Sequence, residues 1–154
     1  YKVEPVDNEM HARFSAKWRT YHYYLHVRKD PFLRHYSLET HYDLDFDLMN
    51  KAAEIIVGHD DFAAFCKTGA DNKTTICNVK ECRWVQTSDY SWYFTITANR
   101  FLRNMVRATV GTLLLLGRHK ITLDEFKDIL DNGNRSDAGE SMPGNALFLE
   151  NIEY

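Results

Sequence analysis

Three arginines, Arg100, Arg103 and Arg107, stand in an otherwise apolar run from Asn99 to Gly117. A guanidinium holds its charge at any physiological pH, so beside an apolar stripe it needs a carboxylate, a phosphate or water. Arg103 and Arg107 are spaced to share one face of a helix. On that spacing alone they read as a solvated pair snorkelling from a helix edge. A second run, Lys17, Trp18, Arg19, Tyr21, Tyr23 and Tyr24, interleaves cations with aromatic rings. Such a strand face can stack bases and hold phosphates. Taken by itself, the run reads as a sheet whose tyrosines pack in the core with their hydroxyls satisfied at the rim.

The elements that position these side chains follow from periodicity. Met105, Val106, Thr109, Val110, Leu113 and Leu116 recur at three- and four-residue steps, which predicts a helix over 102–117 with one apolar stripe. Gly117 reads as its stop, with Arg118, His119 and Lys120 where a helix C-terminus favours cations. A strand over 17–27 places Arg19, Tyr21, Tyr23 and Leu25 on one face, and Trp18, Thr20, His22 and Tyr24 on the other. Tyr1 and Val3, alternating ahead of Pro5, suggest a short edge strand. Pro31 biases Asp30 away from helix and opens a loop. Residues 45–57 read as an amphipathic helix with Leu48, Ala52, Ile55 and Ile56 inward, ending at Gly58. Asp60 and Asp61 suggest an acid-capped short helix. Strands are expected over 73–86 and 90–98, joined at Ser88-Asp89, and over 146–153. A helix over 123–131 is capped by Thr122 and ended by Asp131-Asn132-Gly133-Asn134. The expected fold is α/β of the α+β type, a mainly antiparallel sheet with helices on one face.

With 154 residues, the chain is the size of one domain and can bury a sizeable core. Its 44% hydrophobic and 14% aromatic content excludes a disordered chain. No apolar run approaches the roughly 20 residues of a membrane span. The N-terminus mixes charged with apolar residues, unlike a signal peptide. A soluble, cytoplasmic protein is expected. The net charge of −3 means that any RNA contact must come from a local basic patch. Cys66, Cys77 and Cys82 are odd in number and lack C-x-x-C spacing, which argues against a disulfide framework or a zinc site and for small buried or half-buried thiols. The chain opens without an initiator Met, as an excised segment would.

The run F-L-R-N-M-V-R-A-T-V-G, Phe101 to Gly111, resembles the F-x-x-x-M-V-R-x-x-V-G segment of the TruA family of tRNA pseudouridine synthases. Independently, His11 to Ala16 with Arg19, Tyr21 and Tyr23 resembles that family's H-A-R-F-S-A segment and the Y-x-Y strand after it. Gly58 to Phe65 is similar to its G-x-x-D-F-x-x-F wording. The closing strand is similar to its G-L-x-L, with Ala146 in place of the Gly. Nearly the whole chain is covered, as the C-terminal domain. The resemblance implies an active cleft between two α/β domains, where an aspartate from the N-terminal domain attacks a flipped uridine of the tRNA anticodon arm. It implies no metal or cofactor, and a homodimer. Tyr21 is then the residue that contacts the base, with Tyr23 as a second candidate. Arg107 would pair with the catalytic carboxylate, and Leu147 would give the base an apolar surface. Arg13, Lys17, Arg19, Arg100 and Arg103 would hold phosphates.

Arg135-Ser136-Asp137-Ala138-Gly139 resembles the R-T-D-A-G that carries the family's catalytic aspartate. It stands near the wrong end of the chain and continues into Glu140-Ser141-Met142-Pro143 rather than V-H-A. Asp137 is therefore read as a solvated loop or capping residue. No R-T-D-x-G-V-H-A segment occurs in the 154 residues. The chain is expected to supply half a cleft and to be inactive alone. A stand-alone RNA-binding module and a structural interaction domain remain as alternatives.

Overall fold

The computed structural model describes residues 3–70 and 73–154. Its sheet is built around β1, Trp18–His26. Aromatic and β-branched side chains suit a pleated, half-buried surface, and β1 is rich in aromatic rings from Trp18 to Tyr24. One edge of β1 pairs antiparallel with β4, Ser91–Ala98, from Arg19↔Ala98 to His26↔Ser91. β4 in turn pairs antiparallel with β3, Val79–Ser88. The other edge of β1 is shared. β5, Leu147–Glu153, runs antiparallel along its first half. The two-residue β2, Leu38–Glu39, adds a parallel pair at Leu25↔Leu38.

The helices are α1 (Phe46–Val57), α2 (Met105–Gly117) and α3 (Leu123–Asn132). Met49, Ala52 and Ile56 of α1, Leu113 and Leu116 of α2, and Phe126 and Leu130 of α3 form one buried cluster with Tyr23, Leu25, Phe94 and Ile96 of the sheet. Phe46 stacks on Trp92 at 4.4 Å between ring centroids, fastening α1 to β4. The architecture is thus the expected mixed fold with a mostly antiparallel sheet. The two-residue parallel β2 was not foreseen, since so short a pairing leaves no periodicity to read. No helix among the described residues is long and apolar enough to cross a membrane.

Other expectations need correction. α2 begins at Met105 rather than at 102, because Asn104 takes a left-handed conformation (φ 72) that interrupts helical hydrogen bonding. Arg103 therefore precedes the helix and does not share a face with Arg107. α2 is also buried almost all round rather than along one stripe. α2 ends at Gly117 as expected, but that glycine is itself helical and serves packing: a Cβ there would lie 2.3 Å from Met49 Sδ. It lets α1 cross α2 closely, and the left-handed residue beyond the helix is His119 (φ 54).

In α1 the buried residues are Met49, Ala52, Ala53 and Ile56; Leu48 and Ile55 are only partly buried. Asp45 caps α1 through Leu48 N–H, and Thr122 with Glu125 forms a capping box on α3. The acid-capped helix after Gly58 is a single 3₁₀ turn, Ala63–Phe65, with Asp61 accepting from Ala63 N–H. Residues 73–78 are loop rather than strand, apart from a bridge between Asp61 and Ile76. The edge strand ahead of Pro5 falls partly on Tyr1 and Lys2, outside the described residues, and Val3 and Glu4 are not in a strand.

Candidate active site

The chain from β4 to α2 turns sharply at Leu102 to Asn104, and this turn forms one wall of a cleft of about 750 Å³. Tyr21 of β1 and Leu147 of β5 form the sheet side of that cleft. Arg103 and Arg107 line it from the α2 side. Tyr21 is half-buried and meets Phe101 edge to face at 5.0 Å, which fixes its ring while leaving one side to the cleft.

Arg107 is half-buried on the first turn of α2. Its Nε donates to the Met142 carbonyl, which orients the guanidinium. Among the described residues its terminal nitrogens have no hydrogen-bond or ion-pair partner. A half-buried cation held in place without a counter-charge is prepared for a carboxylate or phosphate.

The Met142 carbonyl is placed by the loop 133–143, which lies on α2 at van der Waals range. A Cβ on Gly111 would sit 1.8 Å from the Glu140 carbonyl oxygen, and one on Gly139 would sit 2.6 Å from Gly111 carbonyl carbon. Gly139 N–H donates to Thr112 Oγ1 at 2.9 Å, and Met142 N–H donates to the Arg107 carbonyl at 3.1 Å. Arg135 donates to the Ala138 and Gly139 carbonyls and to Ser141 Oγ, and Asn104 Nδ2 donates to that same hydroxyl. The loop that resembles a catalytic motif is thus a wall of the cleft. Asp137 is exposed and accepts from Asn134 N–H at 2.7 Å, as a capping residue does.

Of the residues named from the sequence, the cleft brings together Tyr21, Arg103, Arg107 and Leu147. The rest lie elsewhere. Tyr23 is fully buried, and its hydroxyl donates to the Pro143 carbonyl at 2.9 Å. It is a core residue: it shares a face of β1 with Tyr21 but lies beneath the helices, whereas Tyr21 lies at their edge and lines the cleft. Burial pushes its phenol well above the usual range, and the Arg107 charge pulls it only part of the way back.

Arg19 donates to the Ala16, Asn99 and Arg13 carbonyls, so it braces the His11 to Ala16 turn rather than reaching out for a phosphate. Within that turn His11 Nδ1 accepts from Arg13 N–H and Phe14 N–H, and Arg13 itself is exposed. Lys17 Nζ donates to the Tyr154 carbonyl at 3.1 Å. Arg100 lies near Cys77, whose thiol is pushed up to about 11 by burial despite that charge. Cys77 and Cys82 are buried thiols and Cys66 is half-buried. Among the described residues no cluster of three His, Cys, Asp or Glu side chains is placed to hold a metal ion.

The sequence reading missed Lys67, Thr68, Phe101, Asn104, Arg135 and Ser141, all of which line the cleft. Phe101 and Asn104 lay inside the quoted motif without a role. Lys67 carries no sequence signal, since it reaches the cleft only because its N–H donates to the Arg103 carbonyl.

A family model described as tRNA pseudouridine synthase matches residues 52–154. The chain is 51% identical over 154 residues to tRNA pseudouridine synthase A of Bacteroides fragilis, and 47% over 155 residues to that of Porphyromonas gingivalis. It is 37% identical over 155 residues to the protein of that name from Bacillus subtilis. These matches cover 100%, 100% and 99% of this chain and 61%, 62% and 62% of the three relatives. The chain therefore spans about three-fifths of the length of the curated relatives it matches. With the fold, the two sequence motifs and these matches in agreement, the chain belongs to the tRNA pseudouridine synthase family.

Proposed function

We propose that this chain supplies the base-contacting half of an active site that isomerises uridine to pseudouridine in the anticodon arm of tRNA. The observation that carries the reading is Arg107, oriented into the cleft beside Tyr21 and Leu147 with no acidic partner among the described residues. An aspartate from outside these residues completes it. Arg107 keeps that carboxylate ionised and aimed as a nucleophile, because a nearby opposite charge favours the charged form. The uridine must leave its stack to be reached, and the Tyr21 ring compensates for part of the lost stacking. Leu147 excludes water from the base while the bond from ring nitrogen to ribose breaks and a bond from ring carbon to ribose forms. The proton displaced from that carbon leaves to water, the freed ring nitrogen takes one up and the aspartate is released unchanged, so the step balances as an isomerisation without a redox partner, metal or cofactor. The protein acts in the cytoplasm, and its assembly is a homodimer. The greater length of the relatives supports the view that these residues alone do not turn over.

Tritium release from tRNA labelled at uridine C5 tests this reading. The intact protein is expected to release tritium, and the 154-residue chain alone is expected to release none. Release by the isolated chain would overturn the division of the site. Failure of the intact protein to release any would overturn the enzyme reading in favour of an RNA-binding or structural domain.

A further inference from the structure

The cleft does not end at Arg107. Lys67, Thr68 and Arg135 line both the 750 Å³ cleft and a second groove of about 360 Å³ beyond it. Asn134 and Ser136 also line that groove. Acidic residues outnumber Lys and Arg in the whole chain, 22 to 19. Yet no Asp or Glu among the described residues lines either cavity. Four cations, Lys67, Arg103, Arg107 and Arg135, are gathered where acids are excluded, which is the pattern of a site for an anion.

The four have different tasks. Arg107 is held by Met142, and Arg135 uses its donors on the loop carbonyls and Ser141, so it contributes charge more than contact. Lys67 and Arg103 are exposed, and a hydrogen bond of 2.9 Å from Lys67 N–H to the Arg103 carbonyl ties Arg103, which lines the larger cavity, to Lys67, which lines both. The first turn of α2 lines the larger cavity next to Arg103, which adds to the positive potential there. A Lys and an Arg flanking such a point are suited to a phosphodiester oxygen, the Lys as a point charge and the Arg as a fork.

We propose that Lys67 and Arg103 hold the phosphodiester that links the target uridine to its neighbour, and that the second groove receives that neighbouring nucleotide. The proposal rests on the reading of the cleft as a uridine site. It adds Lys67, which neither sequence motif contains, to Arg103, for which the resemblance already implied a phosphate, and it assigns the two one linkage. Phosphate contacts fix register and orientation without reading bases. This pair therefore acts on how the RNA seats, not on the chemical step.

The test is binding of an anticodon-arm RNA hairpin to the intact protein across a potassium chloride series. Lys67→Gln and Arg103→Gln are each expected to weaken binding roughly three- to tenfold and to lower the salt slope by about 0.7. Lys67→Arg is expected to restore most of the affinity. In turnover the Gln variants are expected to raise KM with kcat unchanged, as loss of uniform binding does. The same hairpin with a neutral methylphosphonate on one side or the other of the target uridine locates the contact. At one linkage the wild type is expected to fall to the level of Lys67→Gln, and the variant to lose nothing further. Unchanged affinity and slope in both variants would overturn the phosphate site while tritium release by the wild type left the enzyme reading standing. Additive losses at both linkages, or displacement of RNA by inorganic phosphate without any methylphosphonate effect, would also overturn it. A wild-type protein that bound no RNA would overturn both.

Discussion

Replacing Gly111 with Ala would place a methyl carbon 1.8 Å from the Glu140 carbonyl oxygen and 3.0 Å from its carbon. Both contacts are backbone, so no side chain can swing aside. To restore ordinary contact the loop must retreat from α2 by about 1.6 Å. Overpacking of this kind costs about 1–3 kcal/mol. The retreat also strains the bonds from Gly139 N–H to Thr112 Oγ1 and from Met142 N–H to the Arg107 carbonyl. Each is worth about 1 kcal/mol, while the better helix propensity of Ala returns a similar amount. The net expectation is a loss of about 2–4 kcal/mol, which in a chain of this size lowers Tm by roughly 5–15 °C. Because Met142 holds Arg107 Nε, the same displacement should lower kcat in molecules that remain folded. Circular dichroism melting with turnover measured well below Tm reads both effects. Gly58→Ala is the control, since its nearest contact is the Ile55 carbonyl at an ordinary 3.7 Å. It should leave Tm unchanged or raise it slightly by restricting the unfolded chain. A Gly111→Ala protein with wild-type Tm and kcat would refute the claim that the loop seats directly on α2.

Other expectations follow from the same contacts. Tyr23→Phe removes the hydroxyl bond to Pro143 and should cost about 0.5–1.5 kcal/mol in urea unfolding, with turnover largely retained because the ring stays in the core. Alkaline pH should destabilise the protein. Burial raises Cys77 to about 11 and also raises Cys82 and Tyr23, so the folded state keeps protons that the unfolded state releases. The Cys77 contribution is complete below pH 9 and disappears as pH rises toward about 11. Urea midpoints should fall across that window, less steeply in Cys77→Ala; a flat profile would contradict the burial of these groups. Thr122→Ala breaks the capping box of α3 and should cost about 1 kcal/mol, seen as a Tm lower by roughly 2–4 °C.

Much of the candidate cleft was legible because the resemblance of two motifs and the closing strand to the family names Tyr21, Arg103, Arg107 and Leu147, which the fold brings together. Alternation along β1 put Tyr21 and Tyr23 on one face, and the structure keeps them there. What alternation did not settle was where that face stops being core: Tyr23 lies beneath the helices and Tyr21 at their edge. Strand limits failed over 73–78, where threonines mimic β propensity in a loop. The helix start failed at Asn104, since a left-handed backbone leaves no hydrophobic pattern. Gly117 marked the end of α2 correctly, but its reason was not legible: it is there because Met49 needs the space. Arg19 and Lys17 were legible as cations but not as braces, because their acceptors are carbonyls brought close by the fold. Lys67 and Arg135 were invisible for the same reason: tertiary packing alone carries them to the cleft.

The central claim is that Arg107 orients a carboxylate against a uridine, and its most direct test is kcat of Arg107→Ala and Arg107→Lys in tritium release by the intact protein. The account predicts a fall in kcat of about 10²–10³ for Ala, with KM much less affected because phosphate contacts carry the binding. Lys should recover only part of it, since an ammonium lacks the Nε that Met142 holds. An Arg107→Ala protein that binds tRNA and releases tritium at the wild-type rate would contradict it.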